Sequence, residues 1–266
     1  RFSGAFLYIP GRSGRNLTLK GEGVVVLDGS TDKTVGRNGI SIYEGTTTIE
    51  NIKITGMHWT WCTGKNDPCG SAAIIVYRAT ANIINSTISQ NGGDGIEFIE
   101  SKGIISDNQL IQNGLQLQNV SPSTAIYTTS SSSVVISNNN IVENIGDGIV
   151  SSNRSESIIT NNIVERNGRA GVVVGYMDKT RIQNNRINNN NEEGIYLLSS
   201  STSIVRNNIL VGNKGAGIHV LDYSYGTYPI ILNNIITHTK KSDDSRYDGF
   251  GIMRGRWYND TFTDDY

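Results

Sequence analysis

Short apolar triplets separated by polar turns recur at a fixed spacing along residues 144–238. Aligned as lines, the stretch gives NIGDGIVSSNRSESIITNNIVER, NGRAGVVVGYMDKTRIQNNRINN, NNEEGIYLLSSSTSIVRNNILVG and NKGAGIHVLDYSYGTYPIILNNIITH. Gly148, Gly171, Gly194 and Gly217 are each 23 residues apart. An apolar–x–apolar triplet follows each glycine, then a polar turn, a second short strand, an Asn pair and a third strand. The pairs Asn161-Asn162, Asn184-Asn185, Asn207-Asn208 and Asn233-Asn234 keep this phase, with a small insertion before the last. A period of this length marks a stacked array. The unit is too short for a propeller blade, lacks helical periodicity and has Ile, Val and Asn where a leucine-rich repeat needs Leu.

The pattern therefore predicts an all-β chain: a right-handed, single-stranded parallel β-helix of about nine to ten rungs, with three parallel sheets. Rungs stack at about 4.8 Å. Ile149, Val172, Ile195 and Ile218 are expected to form an aliphatic ladder facing the axis. The glycines are expected to supply backbone angles that a Cβ would penalise. The Asn pairs suit tight corners, where Asn tolerates the left-handed region and bonds to backbone. Repeats run through nearly all 266 residues, so residues 1–266 are taken as one domain. The first rung, with Leu17, Leu19, Val25 and Leu27, has no evident cap, although solenoid ends need cover. Excision from a longer protein with flanking domains is expected.

Long insertions interrupt the rungs at 57–71, at LQLQNVSPS before Ala125, and at 237–249. All precede a first strand, so they are expected to wall one side of the first sheet, where loops on a rigid scaffold carry function. Between its inward positions each first strand presents an outward residue. Aligning the rungs gives Ser41, Ile75, Glu97, Tyr127, Val150, Val173, Tyr196, His219 and Gly251 as one outward column. A second column runs from Tyr43 to Met253, and a third, at the turn, from Glu44 through Arg78, Glu100, Tyr176 and Asp222 to Arg254.

Two clusters on this floor carry chemistry. In one, Tyr196 and His219 are neighbours with open space above the imidazole at Gly251, near Asp222, Arg254, Tyr176, Tyr223 and Arg246. His219 is the candidate base, Tyr196 the candidate acid, and Arg254 or Arg246 would neutralise a sugar carboxylate. The other contains Glu97, Glu100, Arg78 and Tyr127 beside Trp59 and Trp61, which would stack on sugar rings. Glu97 and Glu100, or acids such as Glu97 and Asp222, are the paired carboxylates of a hydrolase reading. The alternatives are that an outward His is a tolerated surface residue, that the acids only solvate the strand, and that the tryptophans anchor their loop. The GDG strings at 93–95 and 146–148 recur in phase with the rung and are read as turn chemistry.

Charge bounds the partners. With 23 basic and 24 acidic residues the net charge is −1, which offers no footprint for nucleic acid or an anionic membrane. No apolar run is long enough to span a bilayer. Cys62 and Cys69 share one loop, where a disulfide would fit an oxidising compartment. No metal site or cofactor is legible, calcium included.

The repeat GIYLLSSSTSIVRNNILVGN resembles those of pectate-lyase-like β-helix proteins, a group including polysaccharide lyases, mannuronan C5-epimerases, glycoside hydrolases and archaeal disaggregatases. The resemblance spans about residues 36–255 and implies the fold more sharply than the reaction. In that group substrates lie along the first sheet. The Asp-Pro-His stretch of the epimerases has no counterpart, since the matching phase here is Gly95-Ile96-Glu97-Phe98-Ile99-Glu100. The paired-Asp and Gly-His-Gly strings of polygalacturonases are absent too. The resulting expectation is an extracellular or cell-surface enzyme on a uronic-acid-containing polysaccharide, acting by β-elimination. The alternatives are a glycoside hydrolase and a non-catalytic glycan-binding or surface-layer module.

Overall fold

The computed structural model describes residues 7–9, 16–30, 39–57, 72–114, 123–199, 202–222, 226–241, 249–258 and 261–264. Every regular element among them is a strand. The strands fall into three sheets, of eleven, nine and nine. Neighbours in a sheet come from consecutive turns of the chain. Ile149–Ser152 pairs with Val172–Gly175, then Ile195–Leu198, then Ile218–Asp222, all parallel and in register. Thr261–Asp264 is the exception: it lies antiparallel against Ile252–Tyr258 and ends the first sheet. The described residues form a parallel β-helix of nine complete rungs and part of a tenth.

The predicted ladder is present and longer than its four expected members. Ile40, Ile74, Ile96, Ile126, Ile149, Val172, Ile195 and Ile218 follow one another in the first sheet, each fully buried. Ile83, Ile105, Ile136, Ile159 and Ile182 do the same in the second sheet, and Ile54, Ile88, Leu110, Ile141, Val164 and Ile187 in the third. Full burial of such a side chain stabilises by about 1.5–3 kcal/mol, so stacking these columns is the main driving force.

The glycines before the first strand serve a different purpose from the one expected. Gly148, Gly171, Gly194 and Gly217 do not have positive φ. A Cβ at Gly194 would instead lie 2.6 Å from the Gly217 carbonyl oxygen and 2.7 Å from Leu210 Cδ2. Close approach between rungs and the third sheet excludes the side chain.

Each Asn pair divides its labour. The first member, Asn161, Asn184, Asn207 or Asn233, takes the left-handed conformation, with φ between 53° and 57°. The second turns inward. Asn162 Nδ2 donates to Asn185 Oδ1 at 3.0 Å and to the Ile136 carbonyl at 2.9 Å, while its backbone N–H donates to the same Asn185 Oδ1 at 2.9 Å. Its own Oδ1 accepts from Asn139 Nδ2 and N–H. The ladder runs from Asn108 to Asn234. A second one, Asn91–Asn113–Asn144–Asn167–Asn190–Asn213, follows the corner leading back to the first sheet. The buried corner amides thus find partners without water.

At the remaining corner the lining is hydroxyl. Thr128 meets Ser157 at 3.1 Å and Ser151 meets Thr180 at 2.9 Å, all buried. Asp178, fully buried, accepts the Ser155 N–H at 2.8 Å, and burial pushes its carboxyl up to about 7.

Two outcomes follow from this packing. Asn162→Ala leaves several buried amides without partners and should cost about 3 kcal/mol in urea unfolding. Asn161→Gly, exposed and at positive φ, should change stability by under about 0.5 kcal/mol. Asp178 holds its proton to higher pH when folded than its ordinary value of 3.8 allows when unfolded. Its contribution is therefore favourable at low pH and is lost as pH rises from about 4 to about 7. Asp178→Asn should stabilise by on the order of 2 kcal/mol at pH 8, about 5 °C in Tm, and by almost nothing at pH 4. Equal effects at both pH values would contradict the assignment.

Candidate functional site on the outer face of the first sheet

Because strand side chains alternate and the rungs are in register, outward residues of the first sheet stand in straight columns. The column Ser41, Ile75, Glu97, Tyr127, Val150, Val173, Tyr196, His219 is as expected. Its last member is not. Met253 is paired with His219, and Gly251 lies two residues earlier, beside Gly217. Arg254 consequently falls in the line of Val220 and not beside Asp222, whose partner is Arg256. The glycine spacing in the last rung misled the alignment, because Gly249-Phe250-Gly251 imitates the start of a strand.

Tyr196 and His219 do come together, with rings stacked at 4.7 Å and 18° between planes. The imidazole is enclosed, not open: His219 has no exposed surface, and its Nδ1 lies 3.0 Å from Glu193 Oε1. Asp222 is also buried and accepts the Gly226 N–H at 2.9 Å. Tyr176 projects into solvent from a left-handed turn residue, and Arg254 is exposed. Tyr127 is half-buried beside Glu97, with its hydroxyl 3.3 Å from Ser152 Oγ. Tyr223, Arg246, Trp59, Trp61 and the two cysteines lie outside the described residues.

The most perturbed groups on this face are carboxylates. Glu97, on strand Asp94–Ile99, is only 8% exposed between Ile75 and Tyr127, and its Oε2 has no hydrogen-bond partner among the described residues. Burial, with the nearby Asp94 charge adding to it, pushes Glu97 up to about 7. Asp94 is raised to about 6, mainly by burial, although it accepts the N–H and hydroxyl of Thr124 on the next rung. Two rungs on, Asp147 is also raised by burial, against the opposing pull of Arg169. Arg169 bridges Asp147 at 3.4 Å and Glu192 at 3.3 Å. Asp94 and Asp147 are the acids of the two GDG strings. Each accepts a backbone N–H from the next rung, Thr124 for Asp94 and Ala170 for Asp147, and the Asp94 charge lies near enough to Glu97 to raise it. Nothing local in the GDG string marks them as more than turn formers.

Beyond Glu97, towards the first rung, Tyr43 and Tyr77 pack at 5.7 Å with 60° between rings. Arg78 lies over Tyr77 at 4.8 Å and forms a two-point ion pair with Glu100, at 2.8 and 3.2 Å. No group of three or more metal-ligating side chains occurs among the described residues. No helix among them is long and apolar enough to cross a membrane.

This architecture is that of a known class. A family model described as the right-handed β-helix region matches residues 38–179 and 72–236, and the chain belongs to that family. Among solved structures it is similar to the A-module of the Azotobacter vinelandii mannuronan C-5 epimerase AlgE4, with 15% identity over 88% of this chain and 72% of that one, at TM-score 0.55. It is also similar to the Dettilon tailspike protein, at 16% identity over 86% and 55% of the two chains, with TM-score 0.50. The periplasmic alginate epimerase AlgG aligns at 16% identity over 92% and 66%, with TM-score 0.48. No curated protein matches the sequence. At these identities the likeness is one of fold.

The Glu97–Asp94 pair makes a direct prediction. In a ¹³C carboxyl NMR titration Glu97 should titrate near 7. Asp94→Asn removes a like charge and should move that midpoint down. An unmoved or rising midpoint would contradict the coupling.

Proposed function

We propose that the chain is a glycan-cleaving enzyme acting outside the cytoplasm, with its substrate laid along the outer face of the first sheet and hydrolysed by Glu97 and Asp94. The observation that carries this reading is Glu97 itself: nine-tenths buried, one oxygen without a partner among the described residues, and protonated up to about neutral pH. An acid in that state is matched to donate a proton. Glu97 gives its proton to the glycosidic oxygen as the bond from C1 to that oxygen breaks. Asp94, the more acidic of the two, takes a proton from the water that attacks C1. The proton then returns to Glu97 through solvent, and a new reducing end is released. Tyr127 borders the acid, and Trp59 and Trp61 on the preceding loop are proposed to stack on the chain.

Elimination is the second reading, favoured by the stacked Tyr196–His219 pair with Glu193 on the imidazole. There His219 would take the C5 proton, Tyr196 would protonate the leaving oxygen, and Arg246 would hold a uronate, because Arg254 stands in the inward line of Val220. Asp222, Tyr176 and Tyr223 would line that end.

One assay separates them. Glycans are incubated with the protein while reducing ends and absorbance near about 235 nm are followed, because elimination alone creates an unsaturated uronide. Hydrolysis predicts new reducing ends without absorbance, a loss of about 10²–10⁴ in Glu97→Gln, and little change in His219→Phe. Rising absorbance that His219→Phe abolishes would replace this reading with elimination. Binding without new ends would make the chain a glycan-binding module.

A further inference from the structure

The charges around Glu97 bear on which sugar can sit there. Four successive strands of the first sheet build this half of the face: Ile40–Tyr43, Ala72–Tyr77, Asp94–Ile99 and Ile126–Thr129. Along them and their bordering turns, the charged groups among the described residues are Glu44, Asp94, Glu97, Glu100 and Arg78. The single cation is already engaged, since Glu100 grips the guanidinium of Arg78 at two points and Tyr77 lies beneath it. The next acid along the edge is Asp147, and its cation Arg169 is shared with Glu192.

A uronate brought to this face would bury a carboxylate among carboxylates, with no unengaged cation among the described residues of these four strands and their bordering turns to receive it. Such a contact is repulsive, most strongly where water is excluded. An uncharged sugar suits the same surface. Its hydroxyls can accept from a protonated Glu97 or donate to its unpartnered Oε2, and its apolar ring face can lie on Tyr43 and Tyr77.

We propose that the sugar seated over Glu97 is uncharged, and that the substrate is a neutral or sparsely charged glycan, not a polyuronate. The inference rests on the Glu97 site described above and opposes the uronic-acid preference drawn from the sequence. It also gives Glu100 a role: by occupying Arg78 it denies acidic chains their anchor.

The test uses matched polymers. Polygalacturonate, polymannuronate and a glucuronate-containing glycosaminoglycan are each prepared in native form and with the carboxyl groups reduced to alcohols. Retention of the protein is measured by affinity electrophoresis at low and high salt. For any polymer retained, the reduced form should bind at least about tenfold more tightly at low salt, with the difference shrinking as salt rises. Glu100→Gln, which releases Arg78 at the surface, should raise affinity for the native forms several-fold and leave the reduced forms unchanged. Tighter binding of native polyuronate by the unaltered protein would overturn the proposal, as would a Glu100→Gln variant with unchanged selectivity. Cleavage of a polyuronate that depends on Glu97 would refute this inference while sparing the hydrolase reading. Selective retention of reduced forms without cleavage would do the reverse. Failure to retain any polymer in either form would count against both.

Discussion

Everything in this molecule depends on the vertical pairing of identical positions on successive rungs. A solenoid corner must bend the chain sharply, which leaves backbone N–H and C=O groups without sheet partners in places that water cannot reach. Here the side-chain amides of two asparagine files meet that demand, each amide serving its own rung and both neighbours. The arrangement works only if every rung has the same register, and it penalises any slip. The aliphatic columns give the stack its stability, but branched side chains alone tolerate repacking. The amides are what fix the phase.

That fixed phase shapes the outer face. Since each outward residue stands directly beside its counterparts on the adjacent rungs, a large neighbour such as Tyr127 and an apolar one such as Ile75 can bury a carboxylate on the surface of a sheet. Burial of this kind raises the proton affinity of Glu97 and Asp94. The same rigidity packs His219 between Tyr196 and Met253 with Glu193 on its nitrogen. One device, applied at two heights of the stack, yields an acid pair in one half and an aromatic–imidazole stack in the other. Beside the first, Arg78 is engaged by Glu100.

The right-handed β-helix family contains the chain, and its similarity to an epimerase module and a tailspike speaks to architecture. Function has to come from the columns, because the scaffold is indifferent to what its outward positions hold.

The sequence by itself determined the repeat, and with it the strands, the three sheets, the inward ladder and most of the outward column. These follow from period and alternation, which are local properties of the chain. The phase failed only in the last rung, where Gly249 and Gly251 offered two equivalent starts and pairing with Ile218–Asp222 chose the second. Sequence also could not tell an outward position from an exposed one. His219 and Glu97 are both outward and both buried, because exposure depends on the size of neighbours 22 to 34 residues away and on what crosses above them. Nor could it distinguish the aspartates of the GDG turns from ordinary turn formers. Their proton affinity is raised first by burial and then adjusted by Thr124, Arg169 and the acids beside them, and only the stacking of the rungs supplies that burial and brings those groups within reach.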